Sequence, residues 1–334
     1  MKTVAIVTDA WAPQINGVVQ TLQRTCACLQ SMGIEPTVVS PEGHRSLPCP
    51  TYPEIRLALL PGREIARRLD ALRPDALHIA TEGPMGWAAR RHALRAGLAF
   101  TTAYHTRFAE YLRARTGIPL SAGYRMLRHF HGPSKCVMVP TPMVQQQLRH
   151  YGFERTAIWG RGVDTDLFSP GGSGVFDGLP RPVFLSVGRV AVEKNLDAFL
   201  RLRLPGSKVI VGDGPRRALL QRRFPDAVFL GARANRDLPA FYRAADVFVF
   251  PSLTDTFGLV LLEAMACGLP VAAHPVAGPL DVVGDSGAGV LNEDLRDACL
   301  AALSIGRERP RRHALAHGWA KTSSRFAELL HPCG

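Results

Sequence analysis

Asp255 and Glu263 stand eight positions apart in DTFGLVLLEAMACGLP (255–270), the first in a turn and the second inside an apolar, helix-forming run. Glu263 lies among Leu259, Val260, Leu261, Leu262, Ala264 and Met265, where an unpaired carboxylate is costly, so a partner or a ligand must satisfy it. Thr256, Phe257 and Gly258 fill the turn, and the glycine lets a ligand approach the backbone. Two carboxylates converging on a glycine-lined helix start suit the recognition of hydroxyl groups. The competing reading is an acidic cap on a helix whose Glu sits at the rim of a core.

Opposite charge comes from VGRVAVEKNLDAFL (187–200). Gly188 ends a predicted strand, Arg189 and Lys194 follow it, and Asn195 is placed to cap the next helix. A guanidinium forks onto phosphate oxygens and an ammonium acts as a point charge, so the two suit an anionic, phosphate-bearing ligand. A surface salt-bridging pair is the alternative. In DAWAPQINGVVQTLQ (9–23), Asn16 and Gly17 open a helix whose first N–H groups suit an anion, without the G-x-G-x-x-G dinucleotide spacing. His105 in TTAYHTRF (101–108) lies immediately beyond a predicted strand, at the edge where doubly wound sheets bind ligands, and Glu82 in EGPMG (82–86) follows another and opens a helix. A lone histidine is ordinarily structural. Asp164-Thr165-Asp166 has a D-x-D form that can hold a cation, but turn or capping duty is the better reading, and no His/Cys/Glu cluster has metal-site spacing.

These residues need a frame, and the strand-like runs provide it. They fall at 4–8, 37–40, 76–80, 100–104 and 136–140, then at 183–188, 208–212, 227–231, 246–251 and 270–274, with helical stretches between. Short, continuously apolar strands alternating with helices predict parallel sheets covered on both faces, and two such series predict two doubly wound α/β domains. The Gly-, Pro- and Ser-rich SPGGSGVFDGLPRP (169–182) reads as the junction. The expected organisation is an N-terminal domain over 1–170, a linker over 171–182, a C-terminal domain over 183–315, and a last helix in 316–334 that crosses back.

The 334 residues, 46% hydrophobic and 20% charged, suffice for two globular domains and exclude a disordered or fibrous chain. Seven cysteines without a C-x-x-C pair fit a reduced, cytoplasmic compartment, and the apolar run before Asp9 is too short for a signal peptide. Residues 1–160 hold 19 Lys and Arg against 10 Asp and Glu, most of the net charge of +12. Such a field attracts anions. An arginine-rich composition with only five lysines is the plainer explanation. In SAGYRMLRHFH (121–131), Tyr124, Leu127 and Phe130 alternate with Arg125 and Arg128, which suits a membrane-facing surface or an ordinary packed helix with a basic outer face. With 7% aromatic residues and no nucleic-acid motif, no nucleic acid is expected as a partner.

The acid–seven residues–acid segment, the Arg189–Lys194 loop, the Asn16-Gly17-Val18-Val19 loop, His105, VGDGP, RGVDTDLFSP (161–170) and FPS (250–252) together resemble the family 4 retaining glycosyltransferases. The resemblance covers about residues 4–330, in the branch of mannosyltransferases and of glycosyl and sulfoquinovosyl transferases that act on diacylglycerol. It implies a GT-B fold, with two Rossmann-like domains facing a cleft, and hexosyl transfer from a nucleoside diphosphate sugar, with no cofactor beyond that co-substrate and no metal. The catalytic set it implies is His105, Arg189, Lys194 and Asp255. Arg189 and Lys194 would grip the diphosphate, Glu263 the ribose, and Asp255 with Thr256, Phe257 and Gly258 the sugar. Gly17, Gly188 and Gly212 would line the donor, while Asn16, Glu82 and His105 lie towards the acceptor. Asp255 departs from the commoner Glu, a carboxylate shorter by one methylene. A diacylglycerol-type membrane lipid is the expected acceptor, with a soluble or polysaccharide acceptor as the alternative. That implies an anionic membrane surface as partner and a peripheral place on the inner face of the cytoplasmic membrane. A sugar-nucleotide epimerase would share the architecture but is disfavoured by the EAMACG segment and the Arg–Lys pair.

Overall fold

The structure is a computed structural model that describes residues 1–334 except Ile15, Pro50 and Thr51. Its contacts divide the chain into two units, Met1–Arg161 with Trp319–Gly334, and Gly162–Gly318. The first unit contains β1 (Thr3–Val7), α1 (Gly17–Ser31), β2 (Glu35–Val39), β3 (Ser46–Cys49), β4 (Tyr52–Ala58), α2 (Gly62–Leu72), β5 (Ala76–Ile79), α3 (Pro84–Ala96) and β6 (Thr101–Ala103). It continues with α4 (Phe108–Thr116), α5 (Leu120–His131), β7 (Cys136–Val139), α6 (Pro142–His150) and β8 (Thr156–Ile158). Among the described residues one parallel sheet runs β2-β1-β5-β6-β7-β8, and β3 and β4 pair antiparallel. Alternate residues bury opposite faces of the sheet. Ala5, Val7, Leu77 and Ile79 pack with Ile65 and Leu69 of α2 and Met85 and Ala89 of α3. Val4, Ile6 and Met138 meet Leu22 and Leu29 of α1.

The second unit repeats the plan with β9 (Val183–Val187), α7 (Leu196–Arg201), β10 (Ser207–Val211), α8 (Arg217–Arg223), β11 (Val228–Phe229), α9 (Leu238–Ala244), β12 (Val247–Phe250) and α10 (Leu259–Ala266). After these come β13 (Val271–Ala273), α11 (Ala277–Val282), β14 (Gly289–Leu291), α12 (Leu295–Ala302) and α13 (Glu308–Leu315). Its parallel sheet runs β11-β10-β9-β12-β13-β14 among the described residues. Leu185, Val211, Phe248 and Phe250 pack on Leu261, Leu262 and Met265 of α10, and Phe184, Ile210 and Val249 on Phe199 of α7 and Cys299 of α12. A final helix, α14 (Trp319–Leu329), returns to the first unit, where Phe326 joins the core against α1.

In each sheet the strand order reverses beside one central strand, between β1 and β5 in the first and between β9 and β12 in the second. The loops that leave the carboxyl ends of those strands diverge, and ligands of open α/β sheets settle in that crevice.

Two details depart from expectation, and a third decides between the two readings of α5. The β3–β4 hairpin carries Pro48 and Pro53, and β8 and β14 span three residues each, too short for a period to show. Residues 171–182 belong to the second unit, because Phe168 and Phe176, at 1% and 2% exposure, anchor the Gly/Pro-rich segment in its core. On α5, Tyr124, Leu127 and Phe130 are core residues, Tyr124 stacked on Tyr151 with ring centroids 3.6 Å apart. Only Arg125, Arg128 and their neighbours face outward, so α5 is a packed helix with a basic outer side and its aromatic residues face no membrane.

Candidate active site

In the second unit, β9 ends at Val187 and the chain turns at Gly188 (φ 148°), whose N–H donates to Val211 O at 2.9 Å. Gly212 follows β10 with the same φ, and a Cβ there would lie 1.8 Å from Gly188 O, so only glycine permits this approach. Val190 N–H then donates to Asp213 O at 2.8 Å. The loop carrying the half-buried Arg189 is thereby clamped against its neighbour.

Three side chains tie the next stretch to the loop after β12. Lys194 Nζ donates to both carboxylate oxygens of Asp255 at 2.6 and 2.8 Å, Ser252 Oγ donates to Glu193 O at 3.2 Å, and Asn195 Nδ2 donates to Pro251 O at 3.1 Å. Asn195 sits at the start of α7 but does not cap it; left-handed backbone (φ 51°) sends its amide across to Pro251 instead. Lys194 and Asp255, expected on different parts of a ligand, are thus an ion pair. With 27% and 17% side-chain exposure, the ammonium remains within reach of a competing anion.

Gly258 (φ 86°) opens α10, after Thr256 and the buried Phe257. Glu263 is buried within α10, 4% exposed, as its apolar neighbours imply and not at the rim of the core, and the Tyr242 hydroxyl of α9 donates to its Oε2 at 3.0 Å. Burial first, and then the Glu263 charge, holds the Tyr242 hydroxyl well above its ordinary range, so the proton stays on the phenol. Sequence reasoning misses Tyr242; the available signal is a Tyr in an apolar helix, whose hydroxyl needs a partner when buried. Asp164 Oδ1 accepts the N–H groups of Asp166 and Leu167 at 3.2 and 3.0 Å, the capping geometry expected of the D-x-D. Among the described residues no group of three His, Cys, Asp or Glu is placed to hold a metal.

In the first unit the candidate residues sit beyond β1, β5 and β6, each fixed locally. Asn16 Oδ1 accepts Val18 and Val19 N–H, both at 3.0 Å, so two of the N–H groups expected to face an anion at Gly17 are taken by the helix's own cap. Asp9, which sequence reasoning misses as a capping residue, accepts Met85 N–H at 2.9 Å and the Thr81 hydroxyl at 2.8 Å and so closes the start of α3. A Cβ on Gly83 would lie 2.4 Å from its carboxyl carbon, which explains the glycine after Glu82. Burial pushes the Asp9 carboxyl up and these hydrogen bonds pull it back. Glu82 Oε1 is 3.2 Å from His131 Nε2, and His131 Nδ1 is 2.9 Å from Thr102 Oγ1. His105, buried after β6, has its Nδ1 3.1 Å from Arg161 Nη2. Burial, then the charge of Arg161, holds His105 well below the usual histidine range, so its imidazole is neutral.

Gly188, Arg189, Lys194, Gly212 and Asp255–Gly258 therefore gather at the carboxyl ends of the second sheet, and Asn16, Gly17, Glu82 and His105 at those of the first. Residues 15–167 match the family described as Glycosyltransferase Family 4, and residues 181–305 match Glycosyl transferases group 1. The chain is 32% identical to a GDP-mannose-dependent alpha-mannosyltransferase of Mycobacterium tuberculosis, over 95% of this chain and 93% of that one. The chain belongs to the family 4 glycosyltransferases. It is a hexosyltransferase that takes its sugar from a nucleotide sugar. The sulfoquinovosyl transferase SQD2 of Arabidopsis thaliana is 30% identical over 80% of this chain and 58% of its own. The solved sucrose-phosphate synthase of Thermosynechococcus elongatus superposes with a TM-score of 0.79 at 20% identity over 98% of each chain, which supports the GT-B fold.

Proposed function

We propose that this glycosyltransferase moves mannose from GDP-mannose, with retention, to a diacylglycerol-type lipid, without a metal ion. The donor half rests on the end-to-end similarity to a GDP-mannose-dependent enzyme and on the Lys194–Asp255 pair at the strand-order reversal, one loop from Arg189. Arg189 and Lys194 hold the diphosphate, a kind of charge stabilisation worth about 3–4 kcal/mol in enzymes. Lys194 exchanges Asp255 for phosphate oxygens, which frees the Asp255 carboxylate for sugar hydroxyls. Glu263, oriented by Tyr242, accepts from the ribose. These two cations meet the leaving group's charge, so no metal is required. A donor phosphate oxygen takes the acceptor proton.

The lipid half rests on a surface other than α5. Leu59 and Leu60 are 46% and 97% exposed, Leu60 with φ 48°, and Arg56, Arg63 and Arg67 stand exposed around them in sequence. Apolar tips flanked by arginines suit an anionic bilayer, each nearby cation contributing about 1 kcal/mol.

The test is a transfer assay with GDP-mannose and UDP-sugars, in excess EDTA, against diacylglycerol in phosphatidylglycerol vesicles and against soluble sugars. The expected product is a mannosylated lipid from GDP-mannose. Transfer only to soluble sugars overturns the lipid half, transfer only from UDP-sugars overturns the donor half, and activity restored by Mg2+ or Mn2+ overturns metal independence.

A further inference from the structure

Arg161 is 6% exposed, yet among the described residues it pairs with no carboxylate. Its Nη1 donates to Trp159 O at 2.6 Å and Gly160 O at 2.9 Å, its guanidinium lies 4.5 Å over the Trp159 ring, and its side-chain hydrogen-bond partner is His105 Nδ1. A buried, uncompensated cation is expensive, and an apolar side chain would fill the space at lower cost. The charge therefore does something that packing does not require. A guanidinium has only donors, so a ring nitrogen facing it must be the acceptor. In a neutral imidazole the other nitrogen then carries the proton.

We infer that Arg161 is a positioning residue that fixes His105 as the Nε2–H tautomer, so that the imidazole meets a ligand as a hydrogen-bond donor and not as a base. His78 of β5 and His131 at the end of α5 also act on His105 through space, and protonation of either would further oppose an imidazolium there. The tautomer follows from geometry alone. Its bearing on turnover rests on the reading of His105 as a contact to sugar or acceptor, so the two are measured separately.

Nitrogen-15 spectra of histidine-labelled protein at pH 7, with the His105 signals identified by their loss in His105→Gln, give the tautomer directly. The expected pattern is neutral and protonated on Nε2; protonation on Nδ1, or an imidazolium, overturns the inference. Arg161→Lys keeps a donor-only neighbour and is expected to keep both the tautomer and most of the turnover. Arg161→Gln brings an acceptor oxygen to Nδ1; it is expected to shift the proton towards Nδ1 and to lower kcat about tenfold to a hundredfold, with the donor KM little changed. A folded Arg161→Gln that retains the Nε2–H pattern overturns the positioning role. Unchanged kcat after the tautomer has shifted leaves the tautomer standing and overturns the reading of His105 as a ligand contact. If Arg161→Gln fails to fold, the wild-type and Arg161→Lys spectra still decide the tautomer.

Discussion

In the first unit the polar residues of the site are held by other side chains and by helix ends: Asp9 on the start of α3, Asn16 on α1, Glu82 against His131, His105 against Arg161. In the second unit the backbone does much of this work, through Gly188, Gly212 and Gly258 at positive φ, while Lys194 and Asp255 hold one another in a partly exposed pair. Buried hydrogen bonds are costly to exchange, so the first arrangement presents a preset surface. A partly exposed ion pair is worth little by itself and exchanges easily, so the second can change partners when an anion arrives. The asymmetry fits a donor that brings two phosphates to the second unit, where cations must be released to receive them.

The largest effect should come from breaking the exchangeable side. Lys194→Ala and Arg189→Ala are each expected to lower turnover by about a hundredfold to a thousandfold with the thermal midpoint nearly unchanged. Steady-state rates on folded variants check this, and near-normal activity in either would remove the diphosphate role. Gly212→Ala attacks the backbone side: its Cβ would meet Gly188 O, and φ 148° strains any L residue, so a loss of about 3 kcal/mol or more in stability is expected by denaturant unfolding. A loss below about 1 kcal/mol would show that the two loops yield to each other, contrary to a clamped backbone.

These two predictions also mark what could be read from the residues. Periodicity places most strands, and the positions after β9 and β12 follow because parallel strands end where ligands bind. Gly212 and Gly258 are visible as glycines in turns, but the contact that demands Gly212 joins two loops 24 residues apart in sequence and shows only in space. Tyr242 beneath Glu263 and Arg161 behind His105 are likewise long-range partners, for which periodicity carries no signal. The aromatic spacing on α5 is legible, but which environment covers that face is not: both a membrane face and an ordinary packed helix fit the spacing, and packing on Tyr151 and Val144 decides for the second.

The buried network of the first unit should show itself in acid. His78, packed between Trp159 and Phe326, is depressed to about 3 by burial and then by Arg161. Below its ordinary value of 6.5 the unfolded chain takes up a proton that the folded chain refuses, so stability is lost as pH falls from 6.5 towards 3, by up to about 1.4 kcal/mol per pH unit. Unfolding free energies from denaturant titrations at pH 7 and pH 5 should differ by about 2 kcal/mol more in the wild type than in His78→Gln, and equal differences in the two would remove His78 as the origin. A smaller change is expected from Glu263→Gln, which keeps an acceptor for the Tyr242 hydroxyl but loses the charge. Calorimetry should show nucleoside diphosphate affinity falling about tenfold, the scale of one charge-assisted hydrogen bond, and unchanged affinity would contradict the ribose contact.

Asn16 gives the smallest effect and the sharpest test of the preset surface, because its two amide atoms do separate things. Oδ1 caps α1, and Nδ2 donates to Gln14 Oε1 at 3.3 Å, a long bond that a better acceptor can displace. Asn16→Ala removes the cap and should lower stability by about 1 kcal/mol. Asn16→Asp keeps an acceptor for Val18 and Val19 N–H and places negative charge at a helix start, so its stability should stay within a few tenths of a kcal/mol of wild type. The carboxylate has no N–H to donate and repels the donor phosphates, so turnover in Asn16→Asp should still fall. A variant as stable and as active as the wild type would make Asn16 a cap alone and would confine the acceptor-side contacts of the first unit to Glu82 and His105.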